Sequence, residues 1–152
     1  MKPLQETKIV GITPPAAIVD NAAYTTAAID TAGYGYATIV CYLGATDIAM
    51  AGLKVQESED SGMSGAADVT GLVVGTSNNI SGSASALPSA TDDNKFVIFE
   101  VNLAGRMRYL DVVATAGDGT AGTFLTAFAI LSQGKIAPAT IAARGCDEIL
   151  RI

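Results

Sequence analysis

The stretch that decides the fold is GRMRYLDVVATAGDGTAGTFLTAFAILSQ, residues 105–133. Two runs rich in β-branched and aromatic residues, at 107–116 and 123–133, flank the glycine-rich segment AGDGTAG, which carries one acid, Asp118. Such runs predict β-strands. Because glycine supplies the positive φ of tight turns and Asp is a preferred turn residue, we interpret AGDGTAG as the bend of a hairpin and not as a loop built around a ligand.

Similar short apolar runs recur along the chain, with turn residues between them. The other predicted strands are TKIVGI near the start, YATIVCYL (36–43), AMAGLKVQES (49–58), VTGLVVG (69–75) and KFVIFEVNL (95–103). The alternation in 49–58 predicts a half-buried strand, with Leu53 and Val55 on one side and Met50 and Ser58 on the other.

Glycine-rich and polar segments separate the predicted strands. LGAT, with Gly44, is predicted to be a hairpin turn, and residues 57–68 and 75–94 are predicted to be surface loops. The alanine-rich segment 15–30 contains a proline and a Tyr-Thr-Thr cluster, which favour extended chain. A helical turn in that segment is the alternative.

The regular spacing of short strands indicates the fold class. Strands about every ten residues, with glycine turns between them, are typical of a sandwich or a small barrel. The long loop at 75–94 favours a jelly roll over an immunoglobulin-type domain. We therefore predict an all-β, single-domain antiparallel β-sandwich, jelly-roll-like, with extended terminal arms. Its parts are an N-terminal arm at 1–15, the sandwich domain at 16–135 and a C-terminal tail at 136–152.

Two of the predicted strands are apolar on both sides. In 124–131 and 96–101, neither set of alternate residues is polar, although a two-layer sandwich covers only one face of each sheet. The second face must be covered by the N-terminal segment, by the long loops, by another copy of the chain or by another protein. We expect a homo-oligomer, most simply a trimer. The candidate interface residues are Phe96, Ile98, Phe124, Phe128, Ile130, Ile149 and Leu150.

The composition argues against several classes of function. A net charge of −6 argues against nucleic acid as a partner, since phosphate binders need a basic patch. The chain has no histidine, which removes the Ser-His and Cys-His nucleophile pairs. Its two cysteines, Cys41 and Cys146, are too few for a Cys-rich zinc site, and we expect no disulfide between them. We predict no enzyme, no catalytic residue, no cofactor and no metal. An apolar run long enough to span a membrane and an export-signal pattern are also missing, so we predict no membrane partner.

The acidic residues are the remaining candidates for chemistry. ESED and the acid that follows it, within 57–68, could bind calcium through oxygen ligands, but we interpret this segment as a solvated acidic loop. Glu100 and Asp111 are the acids inside predicted strands. We expect each to pair with a nearby arginine, such as Arg106 or Arg108, or to face solvent.

Three motifs carry a resemblance to a known family. They are a D-T-x-G-Y motif formed by Asp30, Thr31, Gly33 and Tyr34, the KVQES strand at Lys54–Ser58, and R-Y-L-x-V-V at Arg108–Val113. Over roughly residues 16–133 the chain resembles small proteins encoded among the head genes of tailed bacteriophages, the capsid decoration (cement) proteins. The resemblance implies a jelly-roll-like sandwich, a trimer on the outside of the shell, and the major capsid protein as partner.

The residue patterns and the family resemblance both favour a protein that works by binding to other proteins in an assembly. We expect a viral structural protein, made in the host cytoplasm and located in the virion on the capsid surface. It would stabilise contacts between capsid subunits. The alternatives are a surface-associated carbohydrate- or calcium-binding β-sandwich module, or a component of a head fibre or adaptor.

Overall fold

The computed structural model describes residue 4 and residues 6–150. The chain forms eight strands: β1 (Lys8–Thr13), β2 (Ile29–Asp30), β3 (Tyr36–Thr46), β4 (Gly52–Ser58), β5 (Ala67–Val73), β6 (Phe96–Asn102), β7 (Tyr109–Thr115) and β8 (Thr123–Ser132). Two short 3-10 turns lie at Ala90–Asp92 and Ala142–Arg144. Among the described residues, none of the helical segments has the length and apolar character needed to cross a bilayer.

The strands form two four-stranded antiparallel sheets. Sheet A has the order β1-β8-β3-β6, and sheet B has the order β2-β7-β4-β5. The pairs β1 with β8, β2 with β7, β3 with β6 and β4 with β5 are nested, like one long hairpin rolled into two layers. This nesting is the jelly-roll topology, so the predicted fold class is confirmed.

The core lies between the two sheets and is built by strict alternation along the strands. Sheet A contributes Ile39 and Leu131, and sheet B contributes Val55 and Leu110, all fully buried. Leu53 and Val55 face the core together, as the alternation predicted. Met50 and Ser58 were predicted on the opposite side, yet both are buried. Met50 lies before β4, so the alternation of that strand does not apply to it. Ser58 is the last residue of β4, and its hydroxyl donates a hydrogen bond to the carbonyl of Ser64 (2.8 Å).

Two predicted hairpin turns prove to be something else. LGAT is part of β3, which continues to Thr46, and β3 and β4 lie in different sheets. A Cβ on Gly44 would lie 2.7 Å from the Cβ of Phe124, so this glycine permits close packing of β3 on β8 and does not make a turn. AGDGTAG joins β7 in sheet B to β8 in sheet A, so it is a crossover loop between the layers and not a hairpin bend.

The alanine-rich segment before β2 is extended, as predicted. Its backbone bridges both layers, since Val19 pairs with Thr123 at the start of β8 and Ala23 pairs with Thr115 at the end of β7. The hydroxyl of Tyr24 donates a hydrogen bond to the carbonyl of Thr123, and burial raises the pKa of Tyr24 to about 12. The segment therefore closes one end of the sandwich.

The predicted N-terminal arm includes residues that belong to the sandwich. Residues 8–13 form β1, an edge strand of sheet A, because the apolar TKIVGI run pairs with β8 from Lys8 opposite Leu131 onward. The arm boundary at residue 15 therefore falls too late. Residues 1–3 and 5 of that arm, and 151–152 of the predicted tail, lie outside the described residues.

The predicted tail packs beside β1. A Cβ on Gly145 would lie 1.9 Å from the carbonyl oxygen of Ile9, so the backbone of the tail passes directly against this strand. Arg144 donates hydrogen bonds to the carbonyls of Thr7 (3.5 Å) and Leu4. The tail thus lies along the β1 side of sheet A.

Truncating the core side of sheet A is expected to cost far more than truncating its outer side. Leu131→Ala removes a fully buried side chain and should lower the free energy of unfolding by about 2–5 kcal/mol. Ile98→Ala, at a side chain that is 54% exposed, should lower it by less than about 1 kcal/mol. Urea denaturation at concentrations low enough to keep the chain monomeric measures both values. Equal losses would contradict this assignment of the two faces.

Candidate functional site

The outer face of sheet A carries a continuous apolar surface. The register places Val40 between Ile98 and Phe128, and Tyr42 between Phe96 and Thr126. We call this surface the outer patch, and its members are Val40, Tyr42, Phe96, Ile98, Phe124, Phe128 and Ile130.

Large side chains of the outer patch are open to solvent. The exposed fraction is 59% for Phe96, 54% for Ile98, 41% for Phe124 and 38% for Tyr42. The rings of Tyr42 and Phe96 stack with their centroids 4.6 Å apart. Contiguous exposed apolar surfaces of this kind are typical of the places where proteins contact partners, so the outer patch is the candidate site.

Five of the seven predicted interface residues lie together in this patch. Phe96, Ile98 and Phe124 are exposed, and Phe128 and Ile130 are half-buried. The inference that β6 and β8 are buried on both faces is wrong for the single chain, because the long loops and the N-terminal segment leave these side chains uncovered.

The other two predicted interface residues are in the tail. Ile149 is half-buried and lines a shallow hollow of about 310 Å³ with Pro138 and Thr140, whereas Leu150 is 91% exposed. Since the tail lies along β1, they belong to a different part of the surface from β6.

Sequence reasoning missed Val40 and Tyr42. They alternate along β3 with the buried Ile39 and Cys41, so the strand looked like a plain core strand. The signal that could have found them is the apolar character of both alternating sets in YATIVCYL, the same signal that singled out β6 and β8.

The outer face of sheet B is polar by contrast. The ammonium of Lys54 lies 2.7 Å from a carboxylate oxygen of Asp68, and the amide of Gln56 donates to Asp68 as well (2.7 Å). These contacts, that of Lys54 first, lower the pKa of Asp68. The two outer faces therefore differ in kind, since that of sheet A is apolar and that of sheet B carries an ion pair.

The acids of the ESED region make internal contacts. Glu57 accepts hydrogen bonds from Arg106 (3.2 Å) and from the backbone N–H of Met107 (3.1 Å). Asp60 accepts the backbone N–H groups of Gly62 (3.0 Å) and Ser64 (3.2 Å), which closes a turn. Residues 4 and 6–150 contain no group of three or more acidic or cysteine side chains placed to hold a metal ion.

The two strand acids are not paired as expected with arginines. Arg108 instead forms a bidentate pair with Asp30 (2.8 and 2.9 Å), whose hydrogen bonds lower the pKa of Asp30 to about 2. Asp111 accepts a hydrogen bond from the hydroxyl of Thr26 (3.1 Å), and burial raises its pKa. Glu100 faces solvent on β6, which was the other expectation.

The AGDGTAG loop wraps around a carboxylate group, and that carboxylate is a side chain of the same protein. One carboxylate oxygen of Asp47, in the loop after β3, accepts the backbone N–H groups of Thr120 (2.6 Å), Ala121 (2.6 Å) and Gly122 (3.1 Å). Successive backbone donors form such anion-binding nests. A Cβ on Gly119 would lie 2.1 Å from the same oxygen, so the loop needs glycine there.

The electrostatics of the nest hold Asp47 ionised. The N–H donors, that of Ala121 first, lower the pKa of Asp47 to about 2. Asp118, the acid inside the loop itself, is exposed. Sequence reasoning missed Asp47 because nothing in TDIAM signals that its partner lies more than 70 residues away.

The thiols offer little chemistry. Both cysteines are free, and Cys41 is buried between the sheets, where burial raises its pKa to about 12. A thiol with so high a pKa is not a nucleophile near neutral pH.

Comparisons of the chain with protein-family models, with curated proteins and with solved structures found no match.

The nest should make stability depend on pH through Asp47. Because the folded pKa, about 2, lies below the ordinary value of 3.8, ionised Asp47 stabilises the fold above pH 4, and this stabilisation is lost as pH falls towards 2. Asp47→Asn should therefore be less stable than wild type at pH 7, and the difference should shrink at pH 2.5. Denaturant titration at both pH values measures it. Asp118→Asn, at the exposed neighbouring acid, is the control and should change little. A pH-independent loss in Asp47→Asn would refute the role of the charge.

Proposed function

We propose that this protein is a structural virion protein that binds the outside of a tailed-phage capsid and stabilises contacts between capsid subunits. The observation that carries the proposal is the outer patch, an apolar sheet face left uncovered by its own chain. The identity of the partner comes from the family resemblance, which points to a phage capsid as the assembly that such a face would bind. That resemblance rests on the motifs Asp30–Tyr34, Lys54–Ser58 and Arg108–Val113.

The patch has the character of an adhesive surface. Among the outward residues of β3, β6 and β8, Glu100 is the one charged side chain. An uncharged apolar surface can bury area without leaving unpaired charges behind, which is what a stable contact needs. A contact of ordinary size buries about 800 Å² per partner.

The acidic balance fits the same role. Of 24 charged residues 15 are acidic, and the polar outer face of sheet B carries ion pairs. Net charge keeps a free protein soluble until it docks. Many copies that bind only the assembled shell would stabilise it by mass action, without any catalysis.

A change in the outer patch should weaken shell binding. Phe124→Asp replaces an aromatic side chain that is 41% exposed on β8 with a charge, and should weaken binding to depleted shells at least about tenfold. The matched control is Val113→Asp, on the outward side of β7 in sheet B, which should bind as wild type does. Co-sedimentation with purified shells measures both, and circular dichroism checks that both variants fold.

Shell stability provides the second measurement. Shells incubated with the Phe124→Asp protein should break at a lower temperature than shells incubated with wild type, and at the same temperature as depleted shells. If the variant binds and protects as well as wild type, the outer patch is not the docking face. If wild-type protein neither binds nor protects shells, the proposed function is wrong.

A further inference from the structure

The free edge of β6 lies open along a groove of about 900 Å³. β6 pairs with β3 on one side, and on the other side the groove separates it from β5 and from the segment that follows β5. The groove is lined by residues 71–74, 77–80, 84–86 and 96–100, together with Tyr36. The backbone of β6 is therefore accessible from this side.

The backbone groups along this edge are unpaired. Leu43 of β3 donates its N–H to the carbonyl of Lys95 (3.1 Å). Because alternate residues of an antiparallel ladder turn their N–H and C=O to opposite sides, the odd-numbered residues of β6 face β3. Phe96, Ile98 and Glu100 turn theirs into the groove, where no backbone hydrogen bond from residues 4 and 6–150 reaches them.

The other outer strands of the two sheets are protected against an added strand. β2 has only two residues. The pairing of β5 with β4 contains a register shift, and Gly71 in β5 has a φ of 89°. β1 has a register shift after Gly11 and is covered by the tail at Gly145. Short edges, bulges and covering segments are means by which proteins keep sheet edges from pairing.

β6 has none of these protections within the part of the chain that the structure describes. It has seven residues, pairs with β3 in unbroken register and contains no proline. Its first two outward side chains, Phe96 and Ile98, are large, apolar and exposed. A long, regular and apolar edge of this kind is a template for pairing with a strand of another chain.

The order of residues along β6 fits a second copy of the same strand. A twofold axis perpendicular to the sheet makes two copies of β6 antiparallel and keeps their outward side chains on one face. With the axis at Val97, Phe96 of each copy lies opposite Ile98 of the other. Glu100 then lies opposite Asn94, which precedes β6, so the two carboxylates are far apart and stay in water.

The other twofold registers are less favourable. An axis at Ile98 would place Glu100 opposite Phe96 of the second copy, and an axis at Phe99 would place it opposite Ile98 of the second copy. Either register would press a carboxylate against an apolar side chain, which costs desolvation energy. An axis at Phe96 would leave Ile98 opposite a residue that precedes β6. The pattern of side chains thus selects the axis at Val97.

We propose that two copies of the chain dimerise by antiparallel pairing of their β6 strands about a twofold axis at Val97. Phe96 of each copy exchanges two backbone hydrogen bonds with Ile98 of the other. The two A sheets then form one continuous sheet, and its outer face joins the two outer patches. The contact is between copies, so it goes beyond shell binding, and it gives a twofold pair instead of the expected trimer.

A disulfide placed on the axis tests the register. In a Cys146→Ser background, Val97→Cys should form a covalent dimer under mild oxidation, read on a non-reducing gel. The two Cα atoms at residue 97 would form a non-hydrogen-bonded pair about 4.5 Å apart, within the range of a disulfide. Ile98→Cys in the same background is the matched control and should not link, because its two Cα atoms lie more than about 7 Å apart. Cys41 is buried and does not compete.

Sedimentation velocity over a range of concentrations measures the pairing without a cross-link. Wild type should form a dimer. Ile98→Pro removes an N–H that faces the groove and leaves the hydrogen bonds to β3 intact, so it should raise the dimer dissociation constant at least about tenfold. Ile98→Val keeps both the N–H and the branched side chain, and it should dimerise within about threefold of wild type.

Three results would overturn the proposal. They are a wild-type protein that stays monomeric at every concentration, an Ile98→Pro protein that dimerises as wild type does, and a Val97→Cys protein that cross-links no faster than Ile98→Cys. Circular dichroism shows whether each variant folds, and the cross-link decides the question if Ile98→Pro does not fold. Since Phe124 lies on β8, two strands away from β6, shell binding can fail or succeed independently of this result.

Discussion

The structure depends on the double pairing of β3. This strand hydrogen-bonds to β8 on one side and to β6 on the other, over almost its whole length. Because side chains alternate along a strand, one register places Ile39 and Cys41 in the core and turns Val40 and Tyr42 outward. The same register aligns the outward residues of β6 and β8 with them. One register of β3 therefore decides both which residues enter the core and which form the outer patch, so a shift of that register would change both.

The hydrogen bonds of the Asp47 nest connect the two layers, as the pairing of β3 connects the strands within sheet A. Asp47 follows β3 in sheet A, and the loop that holds its carboxylate joins sheet B to β8. Asp20, in the segment before β2, also accepts the N–H of Gly119 (3.1 Å). Two carboxylates from distant parts of the chain thus hold one crossover loop, in place of the local hydrogen bonds of a hairpin turn.

The strands and the fold class could be predicted from sequence because both follow from local pattern. Val55 and Leu53 alternate with polar residues, and such alternation needs no knowledge of the partner strand. The partners themselves are not local. Gly44 looked like a turn residue, because the side chain that requires a glycine there, Phe124, is about 80 residues away along the chain. Asp47 was missed for the same reason, and Arg106 and Arg108 were given the wrong partners because charge pairs form wherever the sheets bring residues together.

The candidate site was predictable in part because it violates a rule of composition. In a water-facing strand, apolar residues normally alternate with polar ones. In β8 both alternate sets are largely apolar, and this pattern identified Phe124, Phe128 and Ile130 from sequence. What the pattern could not show is how the charges are distributed. The ion pairs of Lys54 with Asp68 and of Arg108 with Asp30 lie on sheet B, while Glu100 is the one charged side chain among the outward residues of β3, β6 and β8 in sheet A. Desolvating the outer face of sheet A therefore costs less than desolvating that of sheet B, although both sheets share one core.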